Sequence, residues 1–164
     1  ITPECRDLED VGAGKLEARH VTAQDLADLS APFGAVGEPV DVVVFAAPQL
    51  SLIEMGQVAG LVSGRHRAET TDLVVCTPVQ VYGDAERLGY VEAIERFGGT
   101  VLTGTCFYQQ YAREIAEANG WSRLLSNSAK IVNILGGYGY RPALASMEHC
   151  VASAEAGHII GEAI

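Results

Sequence analysis

Val42-Val43-Val44-Phe45-Ala46-Ala47, followed by Pro48-Gln49-Leu50-Ser51, is the stretch that decides the fold. Six apolar residues in succession, without polar alternation, suit a strand covered on both faces. Ser51 and Glu54 then form a capping box, with Leu50 and Met55 placed to staple the entry of a helix. Leu52, Met55, Ala59 and Val62 recur at helical spacing, and Gly64 supplies a left-handed stop. This is a strand–turn–helix unit, and the rest of the chain repeats it.

Downstream, Leu73-Val74-Val75-Cys76 reads as a second strand. A helix over about 80–97 follows, with Leu88, Val91 and Ile94 facing inward and Gly98-Gly99 closing it. Thr100-Val101-Leu102-Thr103 is the third strand, with a helix near 108–118 stopped at Asn119-Gly120. Arg123-Leu124-Leu125 is a short fourth strand. The segment 126–142 mixes a short helix with Gly136-Gly137-Tyr138-Gly139. A fifth strand at Ala143-Leu144-Ala145 leads to a helix from about Ser146. Upstream, Thr22 and Asp25 cap a helix over 23–30, with Val21 and Leu26 at the staple positions, and Ala31-Pro32-Phe33-Gly34 breaks it. Strands alternating with helices require right-handed crossovers. The expected fold is α/β: a doubly wound, mostly parallel sheet of about five strands with helices on both faces. Residues 1–39 read as a lead-in segment and 40–164 as a Rossmann-like α/β domain.

The totals narrow the function. A chain of 164 residues with 48% hydrophobic content builds one domain with a substantial core. The formal net charge of −10 argues against nucleic-acid binding and against docking on anionic membranes. No apolar run approaches the ~18 residues of a membrane span, and no signal-peptide pattern opens the chain, so a cytoplasmic location is expected. The four cysteines, Cys5, Cys76, Cys106 and Cys150, form no CxxC pair and suit free thiols or metal ligands rather than disulfides. Ile1-Thr2-Pro3-Glu4 lacks start-like features, which suggests a piece of a longer protein.

In a doubly wound sheet ligands bind beyond the carboxyl ends of the strands. That rule selects Pro48 to Ser51, Cys76-Thr77-Pro78, Gly104-Thr105-Cys106, Asn127-Ser128-Ala129-Lys130, and Ser146 to Cys150. Gly12-Ala13-Gly14-Lys15 is not a phosphate loop, because Leu16 stands where a magnesium-binding hydroxyl belongs and Glu9 where the first glycine belongs. The glycines of 136–139 lack the dinucleotide spacing and read as a loop needing positive φ. Cys106 directly follows a strand, and Cys150 lies in the first turn of a helix, where a thiolate is favoured. Both positions suit iron–sulfur ligation, but most free cysteines behave as small buried hydrophobes, and from position alone that reading comes first. Cys76 reads as core. Lys130 is placed to hold a carboxylate or phosphate or to act in proton transfer, or else to be a solvated lysine. None of the histidines has metal-ligand spacing, and His149 reads as structural.

Five stretches, in order, resemble the aconitase X family. Ile1-Thr2-Pro3-Glu4 is similar to its TPEA segment, and Asp41 to Ser51, with Ala47-Pro48-Gln49-Leu50-Ser51 at its end, to its strand ending in a PHxS turn. Val81-Tyr82 through Gly89-Tyr90 is similar to the segment after its threonine-rich strand. Thr103-Gly104-Thr105-Cys106 resembles its DTC motif, and Ser126 to Lys130, then Ser146 to Cys150, its NSAK stretch and following cysteine. Members dehydrate small hydroxy acids, cis-3-hydroxyproline in bacteria and mevalonate 5-phosphate in archaea, with an iron–sulfur cluster held by three cysteines.

The resemblance implies a dehydratase acting as part of a larger assembly. It implies Cys106 and Cys150 as two cluster ligands, with the cluster type, 2Fe–2S or 4Fe–4S, undecided. The third ligand would lie upstream of Ile1, since Cys5 falls on the alanine of TPEA. Ser128 and Lys130 are the implied catalytic residues, and Gln49, Ser51, Thr105 and Asn127 the substrate contacts. An upstream catalytic segment and a swivel domain or small subunit are the implied partners. Three positions depart from the family: Gln49 replaces its histidine, Gly104 its aspartate, and Ile131 to Leu135 its aromatic, histidine-containing run. These departures keep open the alternative of a non-catalytic binding or assembly subunit. A plain nucleotide-binding domain ranks below both.

Overall fold

The computed structural model describes residue 17, residues 19–30 and residues 36–161. Cys5, the TPEA-like start, Gly12 to Lys15 and the break at Ala31 to Gly34 lie outside the described residues.

Along the described chain come α1 (Ala23–Ser30), β1 (Val42–Phe45), α2 (Leu52–Val62), β2 (Asp72–Thr77), α3 (Val79–Arg87), α4 (Tyr90–Phe97) and β3 (Thr100–Thr103). A 3-10 turn over Phe107–Gln109 then precedes α5 (Ala112–Asn119), β4 (Arg123–Ser126) and α6 (Ala129–Leu135). β5 (Arg141–Leu144) and α7 (Met147–Ala156) complete the described fold. The five strands form one sheet in the order β3-β2-β1-β4-β5, with every pairing parallel. The doubly wound α/β architecture expected from the sequence is the one observed.

β1 is central because its four residues are all buried, so it needs cover on both sides. Val43 and Phe45 face one layer with α2, α4 and α7, alongside Met55, Ile94 and Val151. Val42 and Val44 face the other, alongside Phe107, Ala112, Ile131 and Leu135. The helix entering from β1 is fixed as expected: Ser51 Oγ accepts from the Glu54 N–H, and the Glu54 carboxylate accepts from the Ser51 N–H at 2.8 Å. Gly56 lets α2 approach α4, since a Cβ there would sit 3.1 Å from the Tyr90 ring.

Three element boundaries differ from the sequence expectation. The helix expected over 80–97 is two helices, because Gly89 adopts φ 78° and caps α4. Leu88 ends α3 and is 56% exposed rather than inward, while Val91 and Ile94 are buried. The helix near 108–118 begins only at Ala112, after Tyr111 turns left-handed at φ 49°. β5 starts earlier than expected and includes Pro142, which an edge strand tolerates. The segment before β1 is tied to the domain by an antiparallel bridge between Pro39 and His158 and by a Glu38–Arg123 ion pair.

Candidate functional site

The order of the strands reverses between β1 and β4. From β1 the chain proceeds outward through β2 to β3, then returns to the other side of β1 for β4 and β5. The loops leaving two such strands diverge, and a crevice opens at their carboxyl ends. Here those loops are Ala47 to Ser51 and Asn127 to Lys130.

Buried hydroxyls hold the two strands together at this point. Ser126 Oγ donates to the Val44 carbonyl at 2.7 Å and accepts from the Ser128 N–H. Ser128 Oγ donates to the Ala47 carbonyl at 2.7 Å and accepts from the Ile131 N–H, capping α6. The Ser128 hydroxyl, read from sequence as catalytic, is thus engaged in fixing the Ala47 turn and the Lys130 helix. Ala47 takes φ 51°, an uncommon conformation for a residue with a Cβ. Lys130 is exposed one residue into α6, with its Nζ 5.3 Å from the centroid of the Tyr108 ring. An ammonium over an aromatic face is held by the ring quadrupole. Asn127 is half-buried between the two serines in sequence.

On the other side of β1, Gln49 Nε2 donates to the Thr105 carbonyl at 2.6 Å, crossing β2 to reach the loop after β3. Thr105 Oγ1 is buried with no hydrogen-bond partner among the described residues, a free hydroxyl beside Cys106. Ser51, the remaining expected substrate contact, spends its hydroxyl on Glu54. Gly104 adopts φ 63°, and a Cβ there would lie 2.9 Å from Val79 Cγ2. An aspartate at this position would be strained and would push on the first turn of α3, which accounts for glycine here.

The cysteines occupy contrasting places. Cys106 is half-buried at the start of the 3-10 turn. Cys76 is buried in the layer that also holds Phe107. Burial, reinforced by the neighbouring Cys106 and opposed by the Phe107 N–H, pushes the Cys76 thiol up to about 11. Cys150 is completely buried in the opposite layer with Phe45, Leu125 and Val151. Its thiol lies 3.8 Å from the Ala145 carbonyl. Burial first, and then the Glu148 charge, raises its pKa strongly. No group of three or more His, Cys, Asp or Glu side chains able to hold a metal ion occurs among the described residues. The donor set therefore fits an iron–sulfur cluster in part. Cys106 is a thiol at the mouth, whereas Cys150 as packed is a core thiol.

Two features were missed from sequence. Tyr108 partners Lys130, and its position two residues after Cys106 was the available signal. Ser126 ties β4 to β1, a role its place in the Ser-Asn-Ser run did not separate from that of Ser128. His149, read from sequence as structural, has its Nδ1 buried without a partner among the described residues, with Gly161 packed closely on its ring. No helix in the described residues is long and apolar enough to cross a membrane.

The fold is that of a doubly wound α/β domain with buried hydroxyls gathered at its topological switch point. Residues 40–156 match the model of the aconitase X third domain, and the chain belongs to the aconitase X family. Among similar proteins, cis-3-hydroxy-L-proline dehydratase of Pseudomonas aeruginosa is 30% identical over 96% of this chain and 27% of that enzyme. The phosphomevalonate dehydratase large subunit of Methanocaldococcus jannaschii is 27% identical over 79% of this chain and 30% of that subunit. The crystal structure of Thermococcus kodakaraensis aconitase X in its holo-form superposes with a TM-score of 0.71 at 24% identity. It covers 82% of this chain and 33% of that one, and it supports the fold. The chain thus spans about a third or less of these relatives' length.

Proposed function

We propose that this chain is one catalytic portion of a dehydratase that removes water from a small hydroxy acid. The observation that supports the reading is the packing of Lys130 over the Tyr108 ring, which brings the start of α6 to the loop that carries Thr105 and Cys106, in a domain whose relatives are named as dehydratases. In this reading residues 40–164 are an α/β domain forming part of the catalytic region, and 1–39 are its lead-in segment. The rest of the active protein comprises an upstream catalytic segment and a closing swivel domain or small subunit.

The roles follow from the chemistry each group has left to offer. Lys130, exposed and braced by Tyr108, pairs with the substrate's carboxylate or phosphate. Ser128 acts by positioning, since its hydroxyl fixes the turn and the helix that carry the mouth. Thr105 Oγ1, buried without a partner among the described residues, and the half-buried Asn127 amide are the hydrogen-bonding groups left to contact the substrate. Gln49 holds the Thr105 loop rather than the substrate. Dehydration needs a Lewis acid to draw off the hydroxyl and a base to take the proton from the neighbouring carbon. An iron–sulfur cluster with an open iron would supply the Lewis acid. Cys106 would be this chain's ligand to it, and Cys150 would join only with its thiol turned out of the core.

A second reading has its own support. Gln49 and Gly104 stand where the resemblance to the family implies a histidine and an aspartate, and the first of these replacements removes a proton carrier or hydrogen-bonding partner from this edge. A non-catalytic assembly subunit would tolerate that loss. The experiment that separates the readings uses the whole protein, purified without oxygen and offered cis-3-hydroxy-L-proline or 5-phosphomevalonate. The dehydratase reading expects one of these, or a close hydroxy acid, to lose water, with Lys130→Met costing about 10²-fold or more. A protein that holds iron yet consumes no hydroxy acid in such a panel contradicts it.

A further inference from the structure

The two edges of the sheet are built differently. β5 ends one side with Arg141 and Pro142, a charge and a residue without an N–H, both of which close an edge to further pairing. β3 ends the other side with Thr100-Val101-Leu102-Thr103, which carries neither and is as long as β1. Its inner side is bound to β2 from Val74 to Thr77. The Gly104 N–H extends that ladder by donating to the Thr77 carbonyl at 3.1 Å. Main-chain groups alternate in direction along a parallel strand, so the N–H and C=O groups of Val101 and Thr103 point away from β2. They meet no further strand among the described residues. The faces of β3 are also thinly covered. Thr100 and Thr103 are exposed and Val101 and Leu102 half-buried, whereas all four residues of β1 are buried. On the Leu102 face a cleft of about 250 Å³ opens between β2, β3 and α5, lined by Val74, Leu102, Phe107, Ile115, Gln110 and Asn119. Parallel sheets are ordinarily covered on both faces, so this flank lacks a neighbour.

We propose that an extended segment of the domains preceding this one in the whole protein lies along β3 as a sixth strand and fills the cleft beside Leu102. The chain matches a third domain, and most of each relative's length lies outside the region it matches, so the whole protein has chain to supply. The outward groups of Val101 and Thr103 give the segment its main-chain bonds, and the cleft takes its alternate side chains, which the lining requires to be apolar. The closing swivel domain is not the occupant. β3 lies two strands from the β1–β4 switch point, on the flank of the sheet, and a main-chain ladder fixes what it joins. The inference stands on the geometry of the sheet and is independent of the dehydratase reading.

The test uses the whole protein. Hydrogen–deuterium exchange, read at single residues by electron-transfer fragmentation, reports on the outward amides. Val101 and Thr103 are expected to exchange roughly 10²-fold or more slowly than in an unstructured peptide. Exchange within about 10-fold of the peptide rate overturns the proposal. A benzophenone amino acid in place of the exposed Gln110, on the lining of the cleft, then identifies what lies there. The expected photo-cross-link, mapped by mass spectrometry, is to a peptide of the preceding domains. A cross-link to residues 1–39, to the swivel domain or small subunit, or to a second copy of this domain overturns the proposal, as does the absence of any cross-link. The exchange measurement on the unsubstituted protein decides even where the benzophenone variant folds poorly. Neither readout needs turnover, so a failed dehydration assay leaves the sixth strand standing, and an open β3 edge leaves the dehydratase reading intact.

Discussion

Cys106 and Cys150 both follow a strand of the same sheet, yet their surroundings are opposite. Cys150 sits one turn into α7, which is capped by Ser146 and packed into the larger layer without exposure. Cys106 sits in a loop with a free hydroxyl on one side and a partly exposed tyrosine two residues on. A motif places a thiol near a sheet edge, but the next element decides whether the thiol faces the mouth or the core. Here a ten-residue helix lies back over β1 and β4 and takes Cys150 with it. The loop after β3 does no such thing, because it continues as a short 3-10 turn.

The largest test of that contrast is the layer around Cys150. Phe45→Ala removes a fully buried ring from it and should cost about 3–5 kcal/mol in urea unfolding. A cost below about 1 kcal/mol would mean the layer is loose enough to release the thiol. Ser128→Ala probes the tie between β1 and β4. It removes the cap of α6 and leaves the Ala47 carbonyl without its donor, an expected loss of about 1–2 kcal/mol in the same measurement.

The thiols themselves sharpen the comparison through pH. The Cys76 thiol ionises at about 11 in the folded protein, against 9.0 without burial. The folded state therefore keeps a proton that the unfolded chain gives up first. This contribution to stability is complete below pH 9 and is lost as pH rises through about 11. Urea midpoints should fall over that window, and Cys76→Ala should flatten the slope; an unchanged slope would place Cys76 in contact with water. The smallest stability effect belongs to Cys106→Ser, which should stay within about 0.5 kcal/mol of the parent. Cys150→Ser should cost more than that, because it puts a hydroxyl into an aliphatic layer. If Cys150→Ser also loses iron while its fold is retained, the first turn of α7 opens in the whole protein and the contrast fails.

The sequence made the centre of the fold legible because two independent signals agreed there. The unbroken run Val42 to Ala47 demands a doubly covered strand, and the Ser51–Glu54 box names the helix start to the residue. The edges were less legible, for local reasons. Gly89 sits inside an apolar rhythm that continues across it, so one helix was read where the backbone turns left-handed and restarts. Tyr111 adopts a left-handed conformation that nothing in its side chain announces. Pro142 discouraged a strand that its place on the sheet edge permits.

The site divides in the same way. That Lys130, Ser128 and Cys106 belong at strand ends followed from the alternation of elements alone. That Ser128 is a cap and that Gln49 clamps a loop two strands away depends on how the loops fold back. Hydrogen bonds between residues more than fifty positions apart leave no periodic trace in the sequence.

The most direct measurement is the iron content and visible absorption of the whole protein, purified anaerobically, with and without Cys106→Ser. A mouth that presents Cys106 as a cluster ligand predicts that the substitution strips iron and colour while circular dichroism stays unchanged. A Cys106→Ser protein with its full complement of iron would contradict it.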